Sequence, residues 1–115
     1  MEYEILETQD YIIFEKLFKE SGLEFNLEKN SLHPWGFIKA FCCKDVDGNI
    51  IAGSSITYRK GKYILNDIAV LEEFRSMNIG VNLLSVTEKE IKKLGGKYIY
   101  ITAKAPDFFS RYGYE

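Results

Sequence analysis

Five segments of the chain have the residue pattern of β-strands. They are rich in apolar, β-branched and aromatic residues, and polar residues alternate with them over short runs. These strands are predicted at residues 1–7, 37–44, 50–58, 62–70 and 98–102. Asp47-Gly48-Asn49 and Lys60-Gly61 separate the middle strands, and these residue types adopt the backbone angles that tight turns require. The middle strands are therefore expected to form an antiparallel meander.

Two other segments have helical spacing. The first has apolar residues three or four positions apart, at Tyr11, Phe14, Leu17 and Phe18. Thr8 or Asp10 is expected to cap this helix, and Gly22 is expected to end it. The second helix is longer and ends at Gly95-Gly96. Its apolar face consists of Ile79, Leu83, Leu84, Thr87, Ile91 and Leu94.

The remaining segments have less regular patterns. Residues 23–34 could form a second short helix followed by a loop through His33-Pro34, and residues 107–112 a short helix that ends at Gly113. From residue 62 onward a strand, a helix and a strand follow one another, which makes a βαβ unit with parallel neighbouring strands. The predicted order is β-α-(α)-β-β-β-α-β-α. This is an α/β fold with a mixed, mostly antiparallel sheet flanked by helices.

Composition narrows the class of protein. The 115 residues suit one domain, residues 1–115, and 15 basic against 17 acidic residues give a net charge of −2. This balance argues against nucleic-acid binding. No apolar run approaches the ~20 residues of a membrane span, and the acidic N-terminus lacks a signal core. Cys42 and Cys43 are adjacent, which excludes an ordinary disulfide framework. We therefore expect a cytoplasmic protein, with no membrane partner and no metal.

The stretch from Asn66 to Gly80 carries the clearest chemical signal. It runs from a strand end through a short loop into the start of the long helix. A helix start has amide hydrogens without internal partners and the positive end of the helix dipole. A tight loop that enters it can wrap these amides around a phosphate. No Gly-Lys-Ser/Thr is present, so the loop is not a Walker motif.

This stretch resembles the coenzyme loop of the GNAT superfamily of N-acetyltransferases, which reads Arg/Gln-x-x-Gly-x-Gly/Ala. Arg75, Asn78 and Gly80 fall at these positions, after a strand end, Ile68-Ala69-Val70, of the family's apolar-x-Val type. Residues 108–114, Phe-Phe-Ser-Arg-Tyr-Gly-Tyr, resemble the family segment Phe-Tyr-x-x-x-Gly-Phe. The motifs match between residues 64 and 114, whereas the order of strands and helices agrees along the whole chain.

The resemblance implies a domain that binds acyl-CoA, with acetyl-CoA as co-substrate. The pyrophosphate would lie on the amides of residues 75–81, and the pantetheine would pair with the backbone of Ile68 and Val70. The implied coenzyme contacts are Ile68, Ala69, Val70, Arg75, Ser76, Met77, Asn78, Ile79, Gly80, Val81 and Phe109. In this family an acceptor amine attacks the thioester directly while both substrates are bound. The acceptor here would be a primary amine of a small molecule or peptide.

Two departures from the family pattern leave two functions open. Asn78 replaces the first loop glycine, and asparagine tolerates left-handed backbone angles and keeps its amide. Phe109 stands where many members have a tyrosine that protonates the leaving thiolate, and phenylalanine has no proton to give. The chain is therefore either an active N-acetyltransferase or an inactive GNAT-like domain that binds acyl-CoA or mediates assembly.

Other candidate residues each have two interpretations. Asp67 is either a catalytic base facing the acetyl group or a hydrogen-bonding residue at a strand irregularity. His33, the one histidine, either contacts the acceptor or is incidental. Arg75 contributes either its loop amide or a surface side chain. Neither Cys42 nor Cys43 is expected to carry the acetyl group, because nothing nearby in sequence marks an activated thiolate.

The resemblance also raises a question about the edge of the sheet. Family members normally continue with two more strands after the Gly-Phe segment, and this sequence stops at Glu115. We therefore expect either that this sequence is a fragment of a longer chain or that the last two strands are lacking, which leaves an unpaired edge beside residues 98–102. Proteins usually cover such an edge, and a homodimer would do so.

Overall fold

The computed structural model describes residues 2–75 and 77–101. Its strands are β1 (Tyr3–Thr8), β2 (Phe37–Asp45), β3 (Ile50–Arg59), β4 (Lys62–Val70) and β5 (Tyr100–Ile101). Its α-helices are α1 (Glu15–Glu20) and α2 (Ile79–Lys93), and two 3-10 turns cover Ile12–Phe14 and Glu72–Phe74. Within the described residues the strands form one sheet in the order β1-β2-β3-β4-β5.

The sheet is mixed, as the sequence predicts. β1 to β4 form an antiparallel meander, and β5 pairs with β4 in parallel. The parallel pairing of β4 with β5 confirms the βαβ unit, since α2 lies between these two strands in the chain. The predicted strand 98–102 is shorter in the structure, because only Tyr100 and Ile101 pair with β4. Thr102 and the predicted helix 107–112 lie outside the described residues.

The two helices cover opposite faces of the sheet. One core cluster contains α2 residues and the β2 and β4 side chains Phe41, Cys43, Leu65, Ile68 and Val70. The other contains Ala40, Cys42 and Ala69 together with residues 11–23, here called the α1 segment. β3 lies between the two cores, and all seven residues from 51 to 57 are buried. The adjacent cysteines are free, as expected, and the structure shows that they face opposite cores.

The first helix differs from its prediction at its start. Thr8 accepts a hydrogen bond from the Asp10 amide at 3.1 Å, and no side chain caps either helical segment. The helical turns begin at Ile12, four residues after Thr8, whereas a capping side chain reaches the amide two or three residues later. The chain therefore begins with the 3-10 turn Ile12–Phe14 and continues as α1. The predicted apolar face is nevertheless buried at Tyr11, Phe14, Leu17 and Phe18.

The optional second helix at residues 23–34 is absent. This segment consists of turns, bends and irregular backbone. Leu23, Phe25 and Leu27 are buried or half-buried, whereas Glu24 and Asn26 between them are exposed. A period of two suits an extended chain rather than a helix, which explains the outcome.

The long helix α2 follows its predicted pattern. Ile79, Leu83, Leu84, Thr87 and Ile91 are buried, and the helix ends at Lys93 before the two glycines. Thr87 donates to the Leu83 carbonyl at 2.7 Å and accepts from the Ser54 hydroxyl at 2.7 Å. In the part of the chain that is described, no helix has the length and apolar character needed to cross a membrane.

Gly53 of β3 gives a first test of the packing between α1 and the sheet. A Cβ atom at this position would lie 2.3 Å from Cε1 of Phe14, too close for any real contact. We expect Gly53→Ala to lower the free energy of unfolding by about 1–3 kcal/mol, because overpacked cores must shift. Urea unfolding measures the loss. Adding Phe14→Leu should recover part of it, and strictly additive effects of the two changes would contradict this packing.

The buried thiols give a second test. Burial raises the pKa of Cys43 from 9.0 to about 11, and the charges of Cys42 and Asp45 add to this effect. Above pH 9.0 the unfolded thiol loses its proton while the folded one keeps it, so stability falls as the pH rises towards about 11. The decline should be at most ~1.4 kcal/mol per pH unit from this group. Unfolding curves measure it, and Cys43→Ala should make the decline shallower; an unchanged slope would contradict the assignment.

Candidate active site

A β-bulge divides β4 into two parts. Ser55 of β3 lies opposite Asp67, whereas the next residue, Ile56, lies opposite Leu65. Asn66 is therefore the extra residue, and bulges of this kind redirect side chains next to functional sites. β4 pairs with β5 before the bulge, at Ile64 and Leu65. The irregularity that the sequence suggested around Asp67 is present.

Asp67 lies at the centre of a buried hydrogen-bond network. Its side chain is 2% exposed. Its Oδ2 accepts three hydrogen bonds, from the Tyr11 hydroxyl at 2.6 Å, the Ser55 hydroxyl at 2.6 Å and the Asn66 amide at 2.9 Å. Its Oδ1 is buried, and no described residue donates to it. A buried carboxylate needs such donors, and one oxygen with spare acceptor capacity is the arrangement expected of a group that receives a further donor or a proton.

Tyr11 links this carboxylate to a cluster of aromatic side chains. Burial raises the pKa of the Tyr11 hydroxyl, and the charge of Asp67 and the hydrogen bond to it raise the pKa further. Tyr11 therefore stays protonated through the physiological range and donates to Asp67. Its ring stacks on Phe25 at 5.2 Å between centroids and meets the edge of Phe37 at 5.5 Å.

A small cleft opens beside Tyr11. Its volume is about 140 Å³. It is lined by Tyr11, Glu24, Phe25, Asn26, Leu27, Pro34, Arg59 and Asn66. Tyr11 and Asn66 are the two buried residues of this lining and form its floor, and both donate to Asp67. Because these two residues lie between the cleft and the carboxylate, a ligand in the cleft would contact the network through them.

His33 is not among the residues that line this cleft, although its neighbour Pro34 is. Its ring is exposed and stacks on Phe37 at 5.2 Å, and its Nδ1 lies 3.1 Å from the Pro34 carbonyl oxygen. Phe37 thus separates His33 from Tyr11. His33 makes none of the hydrogen bonds of the Asp67 network.

The second half of β4 presents backbone groups away from β3. The Leu71 amide donates to the Ile51 carbonyl at 2.9 Å, and antiparallel pairs alternate between bonded and non-bonded positions. The backbone of Ala69 therefore faces β3, and that of Ile68 and Val70 faces the opposite edge. The Arg75 Nε confirms this direction, since it donates to the Val70 carbonyl at 3.1 Å. Sequence analysis did not foresee this role for the Arg75 side chain, which ties the loop to the strand end.

The loop after Arg75 leads directly into α2. Asn78 has a φ of 61°, the left-handed conformation expected at the family's glycine position, and its side chain does not cap the helix. Ile79 and Gly80 are buried, whereas Met77 and Val81 are exposed. The Asn82 amide donates to the Asn78 carbonyl and closes the first turn. Ser76 and Phe109, which the resemblance also implicates, lie outside the described residues.

This helix start fits a phosphate group. The first turn of α2 has no acidic residue and no side-chain cap. Among the described residues, neither the Asn78 side chain nor an acidic residue of the first turn occupies the amides of the helix start, and the dipole favours a negative charge there. Among residues 2–75 and 77–101 no group of three or more His, Cys, Asp or Glu residues could hold a metal ion. The site thus suits an anion held by backbone amides.

Four of the predicted residues, Asp67, Ile68, Ala69 and Val70, lie together at the end of β4. The helix start follows β4 after a short loop. Sequence analysis missed Tyr11, which it treated as a core residue, and also Arg59. A tyrosine on an apolar helix face needs a partner for its hydroxyl. The sequence therefore indicated that Tyr11 has a hydrogen-bond partner, but it did not indicate which residue that partner is.

Comparison with known proteins agrees with this architecture. A putative acetyl transferase from Pyrococcus furiosus superimposes with a TM-score of 0.72 at 22% identity, covering 99% of this chain and 93% of that one. A probable acetyltransferase from meticillin-resistant Staphylococcus aureus gives 0.76 at 15% identity, covering 99% and 90%. An aminoglycoside acetyltransferase from an uncultured soil metagenomic sample gives 0.67 at 17% identity, covering 95% and 82%. No curated protein matches significantly.

These solved structures share the fold at low sequence identity. Family membership rests on the sequence model of the acetyltransferase (GNAT) family, which matches residues 3–114. The GNAT family generally uses acetyl-CoA. The mixed sheet, the bulged β4 and the loop into α2 are thus found in a chain that matches the family model along almost its whole length. The chain therefore belongs to the acetyltransferase (GNAT) family and is an acyltransferase enzyme.

Proposed function

We propose that the protein is an N-acetyltransferase that moves the acetyl group of acetyl-CoA to a primary amine by direct attack in a ternary complex. One observation carries this proposal. β4 borders both half-sites: the outward-facing backbone of Ile68 and Val70 next to the helix start, and the Asp67 network beside the cleft. Three residues of strand span about 10 Å, so the two substrates would meet on one rigid element.

The donor half-site supports acetyl-CoA binding through backbone groups. The pyrophosphate would rest on the amides of the loop and first turn of α2, from Arg75 to Val81. The left-handed Asn78 gives the loop its turn without a glycine. The pantetheine amides would pair with the backbone of Ile68 and Val70. The Val70 carbonyl already accepts from Arg75, so that pairing requires sharing or displacing this bond.

The acceptor half-site supplies a route for the proton. As the amine nitrogen bonds to the thioester carbonyl carbon, the carbon–sulfur bond breaks and the amine must lose a proton. Tyr11 can accept that proton on its oxygen while it gives its own to Oδ2 of Asp67, 2.6 Å away. Tyr11 alone would be a weak base, because a phenol oxygen holds its proton firmly. The carboxylate behind it makes the transfer possible.

The coenzyme leaves as a thiolate. A thiol has a solution pKa near 8.5, taking cysteine as a guide, so departure without a protein acid is feasible and water can then protonate the sulfur. Phe109 occupies the position of the family's tyrosine acid in the motif alignment. The proposed mechanism therefore needs no proton from that residue.

The cysteines support direct transfer rather than an acetyl-enzyme. Both are buried, and burial raises the pKa of Cys42 as well as that of Cys43. A thiol that stays protonated is a poor nucleophile. Free buried thiols also suit a reducing compartment, and we propose a cytoplasmic location. Ping-pong kinetics with a trapped acetyl-cysteine would overturn this mechanism.

Gly80→Asp tests the donor half-site. Acetyl-CoA should raise the melting temperature of the native protein, because it binds only the folded loop; at 100 times the dissociation constant the stabilisation is about 2.7 kcal/mol. The introduced aspartate would place a side chain and a negative charge where the phosphate binds, and most of the shift should be lost. Differential scanning fluorimetry with and without acetyl-CoA measures it.

The matched control is Gly48→Asp. Gly48 lies in the β2–β3 turn, has a φ of +82° and has no atom within 4 Å of a Cβ. This change adds the same side chain at an open site, and aspartate tolerates the angle better than most residues. The control should keep the acetyl-CoA shift. If Gly80→Asp also kept it, the coenzyme would bind elsewhere.

Tyr11→Phe tests the acceptor half-site. The change keeps the ring but removes the hydroxyl between the cleft and Asp67, and general-base assistance is commonly worth about 10²–10⁴ in rate. We expect kcat to fall by about 10² or more, with little change in the KM for acetyl-CoA. Asp67→Asn should lower kcat similarly. Steady-state kinetics with an accepted amine measures both.

Ser55→Ala is the control for this network. It removes a hydroxyl that donates to the same oxygen at 2.6 Å but does not line the cleft. It should lower stability by about 1–3 kcal/mol and reduce kcat far less than Tyr11→Phe does. Equal losses of kcat in the two variants would indicate that the network is only structural.

A further inference from the structure

Arg59, at the end of β3, is the one cationic residue among those that line the cleft. Its Nε donates to the Trp35 carbonyl at 2.8 Å, and its guanidinium carbon lies 5.9 Å from the centre of the Trp35 ring. These two contacts hold the side chain in place. Within residues 2–75 and 77–101, neither terminal nitrogen of the guanidinium group has a hydrogen-bond partner. Among the described residues Arg59 forms no ion pair.

The positive charge of Arg59 acts on the hydroxyl of Tyr11, the group proposed to take the proton from the amine. Burial and Asp67 raise the pKa of the Tyr11 hydroxyl, and the positive charge of Arg59 lowers it in part. Arg59 and Tyr11 also line the same cleft. A positive charge thus lies on one wall, and Tyr11, backed by the buried carboxylate of Asp67, lies on the floor.

The cleft is small. Its volume is about 140 Å³, whereas pockets for drug-sized ligands typically measure about 300–1,000 Å³. A compact molecule would fill this volume, whereas a multi-ring polyamine would extend well beyond it. A polycationic acceptor would also bring positive charge against Arg59, and Glu24 is the one acidic residue among those that line the cleft.

From this arrangement we infer that the acceptor is a small zwitterion, an amine that also carries a carboxylate, such as a free amino acid. Arg59 binds the carboxylate through its terminal nitrogens, in the paired geometry that guanidinium and carboxylate groups favour. The amine then lies over Tyr11, with Asp67 behind it. This inference rests on the proposed function, since it names the substrate class of the same cleft.

Paired substrates test the inference. The native enzyme and acetyl-CoA are incubated with each standard amino acid and, separately, with its carboxamide, and free CoA is measured. The carboxamide keeps the amine and the side chain but lacks the negative charge. For accepted amino acids we expect kcat/KM to be at least about 10-fold higher than for the carboxamide, because hydrogen bonds to charged groups are the stronger ones. The carboxamide amine is the less basic one, so chemistry alone would favour the carboxamide.

Variants of Arg59 test whether this residue causes the preference for an amino acid over its carboxamide. Arg59→Gln should reduce the ratio to about 1 while turnover of the carboxamide persists. Arg59→Lys keeps the charge without the fork and should retain an intermediate ratio, which provides a second result if the glutamine variant folds poorly. Lys60→Asn is the matched control: it removes the neighbouring positive charge at a φ of 52°, which asparagine tolerates. It should keep the native ratio.

The outcomes separate the two proposals. If simple amines, carboxamides or polyamines are acetylated as well as amino acids or better, the zwitterion inference is wrong and the N-acetyltransferase proposal stands. If Arg59→Gln keeps the full preference for amino acids, Arg59 is not the carboxylate-binding residue and the inference fails. If acetyl-CoA stabilises the protein but no amine of any class is acetylated, the proposed function itself fails, and the zwitterion inference falls with it.

Discussion

The buried carboxylate of Asp67 imposes the main constraint on this structure. A charge that is almost fully removed from water must be hydrogen-bonded, because its desolvation is otherwise far too costly. Three donors meet this need: Tyr11 before α1, Ser55 of β3 and Asn66 of the bulge. The network therefore fixes how the first helical segment docks, and it stabilises the bulge that offsets the register of β3 and β4.

The same bulge gives β4 its two roles. Before it, the strand pairs with β5 at Ile64 and Leu65; after it, the strand leads to the loop and α2. α2 and the α1 segment bury opposite faces of the sheet, so β4 is held firmly between them. A strand that is rigid on both faces suits a reaction in which two substrates must be aligned within a fraction of an ångström.

Local pattern predicted the parts of the fold that depend on nearby residues. The meander, α2 and the loop up to Asn78 were predicted because their signals lie within a few positions of one another. The prediction that Thr8 or Asp10 caps the first helix was wrong. The helical turns begin only at Ile12, and the Thr8 hydroxyl accepts from the Asp10 amide. The optional prediction of a helix at residues 23–34 was wrong too. The apolar residues Leu23, Phe25 and Leu27 alternate with polar ones, and this period of two, visible in the sequence, indicates an extended chain.

The sequence alone determined that a strand, a short loop and a long helix follow one another from residue 62 to residue 93, because these residues are contiguous and their signals are local. Only the tertiary structure decided what surrounds Asp67. Its partners Tyr11 and Ser55 are 56 and 12 residues away, and no local signal pairs them. Arg59 likewise joins the cleft through the docking of the loop at Trp35. Side-chain sites assembled from distant segments depend on how the helices and strands pack, and that packing is decided by the core as a whole.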